Sequence, residues 1–521
     1  MRKKREVVLV AFLMVFTSFV AAGSKSNVLQ NEWDKTYGGD EYDFLYCVQQ
    51  TTDGGYIASG VTTQSEVQYA WVIKLDGNGD VEWEKKEMGN DVYIQPSYIQ
   101  QTSDGGYIVC GVFNSPDAKF GYYKSFLWKL DDEGNTQWIK TFYERLWVVF
   151  ETSDGYIGGG YDALSNNDYD AMLMKLDSMG NMEWKKLYRY GAGYDYGYSL
   201  GKTNDNGYLI GGYVSKAGDT DMWLIKTDEN GNKIWAKTYG GSKDDWSAAR
   251  NCFQTSDGYI MAGETKSFGN GNNDVWIVKT DKNGNMVWNK TYGGKRDDRI
   301  WGMDKVSDGY LLCITKAYSA VGGTADIWIV KIDENGEMLW NQTFGGSRED
   351  RGYYIQQTEN GGYIVAGRTE SFGGSSDGWL IKVENVPPNR PERPQGEANG
   401  HINENYTYST STIDSNGDEI YYMWDWGDNT TTGWIGPFNS GETVKMNHTW
   451  KEKGTYMVRV KAKDVSGKES PWSDPMVVTM PKKVTILQQL ERYPFIYMLL
   501  KFLFPSFHYN LFQHSQQPAP H

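Results

Sequence analysis

The chain has 521 residues, among them 60 Gly, 21 Trp and 37 Tyr, with four Cys, five His and a formal net charge of −15. Aromatics at 15% supply enough apolar surface for packed cores, and a mean hydropathy of −0.62 leaves no room for a bundle of membrane helices. A disordered chain, a collagen, a disulfide scaffold and a multi-pass membrane protein are therefore excluded, and the acidic balance argues against nucleic acid as a partner.

At the start, Arg2-Lys-Lys-Arg5 precedes an apolar run from Val7 to Ala22 that ends in small residues. This predicts a secretory signal over residues 1–22, because the run is shorter than the ~20 residues of a stable span. An uncleaved anchor is the alternative. Cleavage removes four basic residues and Glu6, which takes the net charge from −15 to −18.

Residues 31–385 are a repeat. The string Asp257-Gly-Tyr259-Ile recurs with its tyrosine at 56, 107, 156, 208, 259, 310 and 363. Trp276-Ile-Val-Lys279 recurs with its lysine at 74, 129, 175, 226, 279, 331 and 382, and Trp288-Asn-Lys-Thr-Tyr with its tryptophan at 33, 83, 138, 184, 235, 288 and 340. Each marker counts seven, at intervals of 49–53 residues for the tyrosines. Short aromatic and β-branched runs bounded by Gly or Asp-Gly predict strands, four to a unit, and seven such units predict a β-propeller.

Between the second and third markers, an Asp-x-x-Gly turn precedes the tryptophan by four residues, as at Asp281, Gly284 and Trp288. Six of these hairpins are complete. The seventh is split, since Trp33 has no preceding strand and Lys382 no following tryptophan. Two bare edges are avoided if the N-terminal strand completes the last blade and the ring closes.

These units resemble kelch-like and quinoprotein-like propeller repeats. The kelch-like features are the Gly-Gly before Tyr56, Tyr107 and Tyr363 and the tryptophan of Trp-x-Ile-Lys; the quinoprotein-like one is the tryptophan four residues after the turn glycine. Thr102-x-Asp104-x-Gly106 resembles the Asp-box turn of sialidase-type propellers. The likeness implies architecture, not activity.

A Pro-rich segment at 386–394 predicts a stiff extended linker. Residues 395–481 then carry Trp424-Asp-Trp426-Gly-Asp428, His448 before Trp450, Gly454, Tyr456 and an alternating run to Ala462. This segment resembles a PKD (polycystic kidney disease) domain, which implies an immunoglobulin-like β-sandwich of extracellular proteins, a spacer or adhesion module. Residues 482–521 hold an apolar core too short to span and predict an amphipathic tail that contacts the envelope.

The four cysteines, Cys47, Cys110, Cys252 and Cys313, are far apart, and two share one repeat position. They are expected as small buried hydrophobes. Every histidine lies beyond the repeats, so a His-dependent triad or His-ligated metal in the propeller is ruled out. Asp43, Asp195, Asp245, Asp298 and Asp350 recur four residues after the Gly-Gly position, which suits a turn role better than a ring of carboxylates around a ligand. Directly after them stand Phe44, Tyr196, Trp246, Arg299 and Arg351. Variable aromatic and arginine residues on a repeated loop are the candidate ligand-binding set; ordinary rim residues are the plain alternative.

Sparse arginines disfavour a sialidase-like site. Asp414 and Asp418, beside Asp425 and Asp428, are expected to form a turn, with Ca²⁺ as the one cofactor the oxygens could suit. Asn-x-Thr sequons at Asn289, Asn341, Asn405, Asn429 and Asn447 fit an exported protein in a glycosylating host. The expectation is a secreted or cell-surface, non-enzymatic adhesion protein that binds a surface glycan or protein. A polysaccharide hydrolase or lyase working through propeller carboxylates, and a structural surface-layer component, are the rivals.

Overall fold

The computed structural model describes residues 31–480 apart from 91–92, 119–122, 166–167, 217, 248–251 and 318–324, together with Phe495 and Met498. The signal expected over 1–22 and, save for those last two residues, the tail expected over 482–521 lie outside the described residues. Among those described, no helix is long and apolar enough to cross a membrane.

The repeats form a seven-bladed β-propeller of four-stranded antiparallel sheets. The fourth blade is typical, with strands Asp195–Lys202, Tyr208–Ser215, Thr220–Thr227 and Lys233–Tyr239 in that order. Its two middle strands read as nearly unbroken apolar runs and are buried along their length, because the neighbouring blades cover both faces. The outermost strand, Lys-Ile-Trp-Ala-Lys-Thr-Tyr, faces water on one side and carries the charges. First strands of neighbouring blades pack on one another and are therefore innermost; the described pieces of this strand in the fifth blade are Asp245–Trp246 and Cys252–Gln254.

The split blade is joined as its edges require. Asn31–Tyr37 pairs antiparallel with Asp377–Val383, so that Trp33 stands opposite Lys382, and the seventh sheet packs against the first. This bonds an otherwise bare edge with a strand from the other end of the repeats.

The three repeat markers meet at the contacts between blades. In the first six blades the lysine is buried and its ammonium lies 2.5–3.0 Å from the aspartate of its own Asp-Gly-Tyr turn, from Lys74 with Asp53 to Lys331 with Asp308. The tryptophan reaches into the next blade: Trp235 packs on Tyr259 with ring centroids 5.5 Å apart. It also covers Gly284, whose φ is +75° and where an added Cβ would lie 2.8 Å from the ring. Tyr239 Oη donates 2.7 Å to the Gly284 carbonyl beside it. Inner-strand side chains add to these bonds, as Gln100 accepts from the Glu151 amide and Gln356 from that of Gln50.

The four cysteines are buried and none is in a disulfide, as expected. Burial pushes the Cys252 and Cys313 thiols up to about 12, which makes them inert. Two sequon asparagines are engaged in packing: Asn289 accepts from the Trp276 indole at 3.0 Å and Asn341 from that of Trp328 at 2.9 Å.

The C-terminal unit is a sandwich. One sheet orders Ile435–Phe438, Ile420–Asp425, Gly454–Asp464 and Met476–Met480; the other pairs Tyr406–Thr410 with Val444–His448. Trp424, Trp426 and Trp450 fill the core between them. The Pro-rich segment lies along this sandwich, with the Asn389 amide on the Ile413 carbonyl and that of Glu392 on the carbonyl of Ser411. It is bound to the domain that follows it.

Candidate functional site

Each aspartate of the repeated column bonds the backbone of the preceding turn. Asp43, Asp245, Asp298 and Asp350 accept from Gly39, Gly241, Gly294 and Gly346 at 2.7–2.8 Å, and Asp195 from Tyr190 and Gly191. Pinning that turn fixes where the next residue emerges. The next residues are the candidates: Phe44, Tyr196, Trp246, Arg299 and Arg351, all on innermost strands at one register step.

The register exposes a second variable column. Phe44 stands opposite Val61, Tyr196 opposite Tyr213, Trp246 opposite Glu264, Arg299 opposite Thr315 and Arg351 opposite Arg368. The remaining blades place Gln95 opposite Val112 and Arg145 opposite Tyr161. A β-bulge follows one or two steps further along, at the same place in six blades, and leaves one extra residue on the inner strand. In five of them that residue is aromatic: Tyr46, Trp147, Tyr198, Trp301 and Tyr353. Bulges re-aim side chains, and here they bring adjacent blades into ring contact, with Tyr46 on Tyr353 at 5.1 Å and Trp147 on Tyr198 at 5.5 Å.

Three groups result. Arg351 and Arg368 both pair with Glu349, and the Arg368 guanidinium lies 5.0 Å over the Phe44 ring. Tyr196 sits among Tyr161, Tyr169, Tyr194, Tyr198 and Tyr213, with the Arg145 guanidinium 5.2 Å from the Tyr161 ring. In the third, Trp246 has Lys266 over its ring at 4.9 Å and Glu264 across the ladder. Glu264 accepts 2.7 Å from the Asn273 amide. Burial drives its carboxyl up to about 8 against the opposing pull of Arg299, and the Asp297 charge adds to the rise. At neutral pH this group is largely a neutral acid that can donate a hydrogen bond.

The columns were half legible. The aspartate column marks the first variable position; Glu264 follows the repeated Gly-Tyr-Ile-x-x-Gly string by one residue, where the other blades carry Val, Tyr, Thr or Arg. The residues next to aspartate do not include this position.

In the sandwich, Asp414 accepts from the Asn416 and Asp418 amides at 2.8 and 3.3 Å, the turn expected there. Asp425 and Asp428 stand apart from it, paired with Arg459 and His448. The carboxylates that come together are Asp414, Asp418 and Asp464, with one oxygen from each within 4.8 Å of the others. Burial and the Asp418 charge drive Asp414 up to about 8, whereas Lys331 binds Asp418 at 2.6 Å. Three oxygens suit a hard cation in number and kind, and an ammonium already serves one of them.

A family model for the PKD domain matches residues 388–480. The C-terminal sandwich is a PKD domain. It is 52% identical to the PKD domain of an M14-like peptidase from Thermoplasmatales archaeon SCGC AB-540-F20, a match over 19% of this chain and 99% of that one with a TM-score of 0.18. Two other solved structures match longer stretches of the chain at low identity. Sqt1 from Chaetomium thermophilum matches at 10% identity over 87% of this chain and 100% of that one, with a TM-score of 0.36. A GH43 β-1,3-galactosidase matches at 13% over 68% and 92%, with a TM-score of 0.29. Neither carries an activity over to this chain. No curated protein sequence matches it.

Proposed function

We propose that the chain is an extracellular, non-enzymatic adhesion protein whose propeller binds a surface glycan or protein around its axis, next to a PKD domain. One observation carries the reading. Side chains that vary between blades gather at two register-paired columns and one bulge position, and most of them are aromatic or arginine, the types that dominate binding hot spots. The repeated residues make the same contact between blades in every repeat, whereas the residues at these positions differ from blade to blade. The PKD domain supports a location outside the cell.

A screen of the full chain against surface glycans and cell-surface extracts tests this, repeated with Trp246→Ala and Arg299→Ala. Binding that falls at least tenfold in either variant supports the site; binding indifferent to both refutes it.

A second reading is favoured by Glu264, a buried carboxyl that feels the charge of Asp297. Such a pair could serve a polysaccharide hydrolase or lyase. Chain cleavage of a bound glycan, abolished in Glu264→Gln, would establish that reading over simple binding.

A further inference from the structure

Six tryptophans of the propeller cover a turn glycine in the next blade, from Trp33 over Gly79 to Trp288 over Gly336, where an added Cβ would meet the ring at 2.7–2.9 Å. The seventh, Trp340, faces the split blade. That blade has no Asp-x-x-Gly turn, because the chain leaves it at Val383 and Asn31–Tyr37 arrives separately to finish the sheet. Yet Trp340 is the most buried of the seven, with 5% exposure.

A glycine from the PKD domain stands over it. A Cβ on Gly417 would lie 2.4 Å from Trp340 Cδ1. The turn that carries Gly417 repeats the inner bonds of the blade turn, while the Asp414 amide donates to Ser440 Oγ where the Asp281 amide donates to the Asn285 carbonyl. The Gly417 amide donates 3.1 Å to the Asp414 carbonyl, as Gly284 does to Asp281. The Asn416 amide donates 2.8 Å to Asp414 Oδ1, as Asn283 does to Asp281 Oδ1. Gly417 has φ +70° and Gly284 +75°.

Charge marks the same place. Lys331 pairs with Asp308 of its own blade at 2.8 Å, as the other blade lysines do, and in addition with Asp418 at 2.6 Å. The aspartates that pair with the lysines of the first five blades are more than half exposed, whereas Asp308 and Asp418 are sealed. The Asn385 amide donates to Asp464 and Ser466, and the Val386 amide to Asn416, so the exit of the seventh blade is tied to the same turn.

We propose that Trp340, the Tyr363 ring 5.8 Å from it, Lys331 and Asp308 form a receptor for an Asp-x-Asn-Gly-Asp turn, and that the PKD domain of this chain is its resident occupant. The PKD domain thereby supplies the turn that the split blade lacks. It is docked on the propeller as one body with it and does not act as a hinged stalk.

The test keeps the full chain and replaces the exposed residues Glu392 and Arg393 by a specific protease site. After cleavage the PKD fragment is expected to co-elute with the propeller on gel filtration. Trp340→Ala and Lys331→Met should weaken its retention at least tenfold, whereas Trp235→Ala, which empties an equivalent contact between two blades, should leave it unchanged. Gly417→Ala changes only the PKD side and separates loss of docking from loss of propeller folding. Fragments that part in the wild type, or that stay together equally in Trp340→Ala, Lys331→Met and Gly417→Ala, would overturn the proposal.

Discussion

Trp246 and Glu264 stand directly opposite each other on the first two strands of the fifth blade, and Glu264 is 2% exposed. An acid raised to about 8 from an ordinary value of 4.5 binds its proton more tightly in the folded chain. Its favourable contribution is therefore complete below about pH 4.5 and is lost as pH rises through 8. Thermal unfolding should show Glu264→Gln close to the wild type at pH 5 and exceeding it at pH 8.5, by about 4 kcal/mol. Equal pH profiles for the two proteins would contradict the burial described for this carboxyl.

Equivalent lysines should differ in cost when changed to methionine. Lys226 pairs with Asp205, whose side chain is 60% exposed and can be rehydrated. Lys331 pairs with two sealed carboxylates. Chemical denaturation should give about 1 kcal/mol for Lys226→Met and about 3–5 kcal/mol for Lys331→Met, since the latter strands buried charge.

Turn glycines divide by what lies above them. Gly467 has φ +93° and open space around its α-carbon, whereas Gly284, at φ +75°, lies under Trp235. Alanine at Gly467 should cost about 1–2 kcal/mol for the left-handed backbone alone. Alanine at Gly284 should cost that and a further ~1–3 kcal/mol, because the ring must shift. Denaturant midpoints at constant m-value would read both.

Removing the chain through Tyr37 takes away the last strand of the seventh blade. The strand Asp377–Val383 then presents unpaired backbone, and Tyr56 and Gly79 lose the cover of Trp33. Light scattering should show association of the truncated protein at concentrations where the intact chain is monodisperse.

Repetition made much of this legible. Tyr259, Lys279 and Trp288 recur with fixed spacing because each makes the same contact in every blade, and a split hairpin betrays the strand that must travel from the other end. Recurrence in most blades marks the aspartate column as a turn device for the same reason, and its bonds to Gly39, Gly241, Gly294 and Gly346 bear that out. Tyr353 and Glu264 were harder to see. One owes its position to a bulge and the other to cross-strand pairing, and neither a bulge nor a partner is written in local spacing.

The sequence by itself determined the all-β fold, the count of seven, the split blade and the PKD domain, since each rests on a periodic or local pattern that backbone geometry converts directly into strands and turns. Tertiary structure alone decided that Asp414, Asn416 and Gly417 dock where a blade turn is missing. Trp340 and Gly417 share no repeat position and lie 77 residues apart. Their contact depends on the packing of two domains, which no short-range pattern encodes.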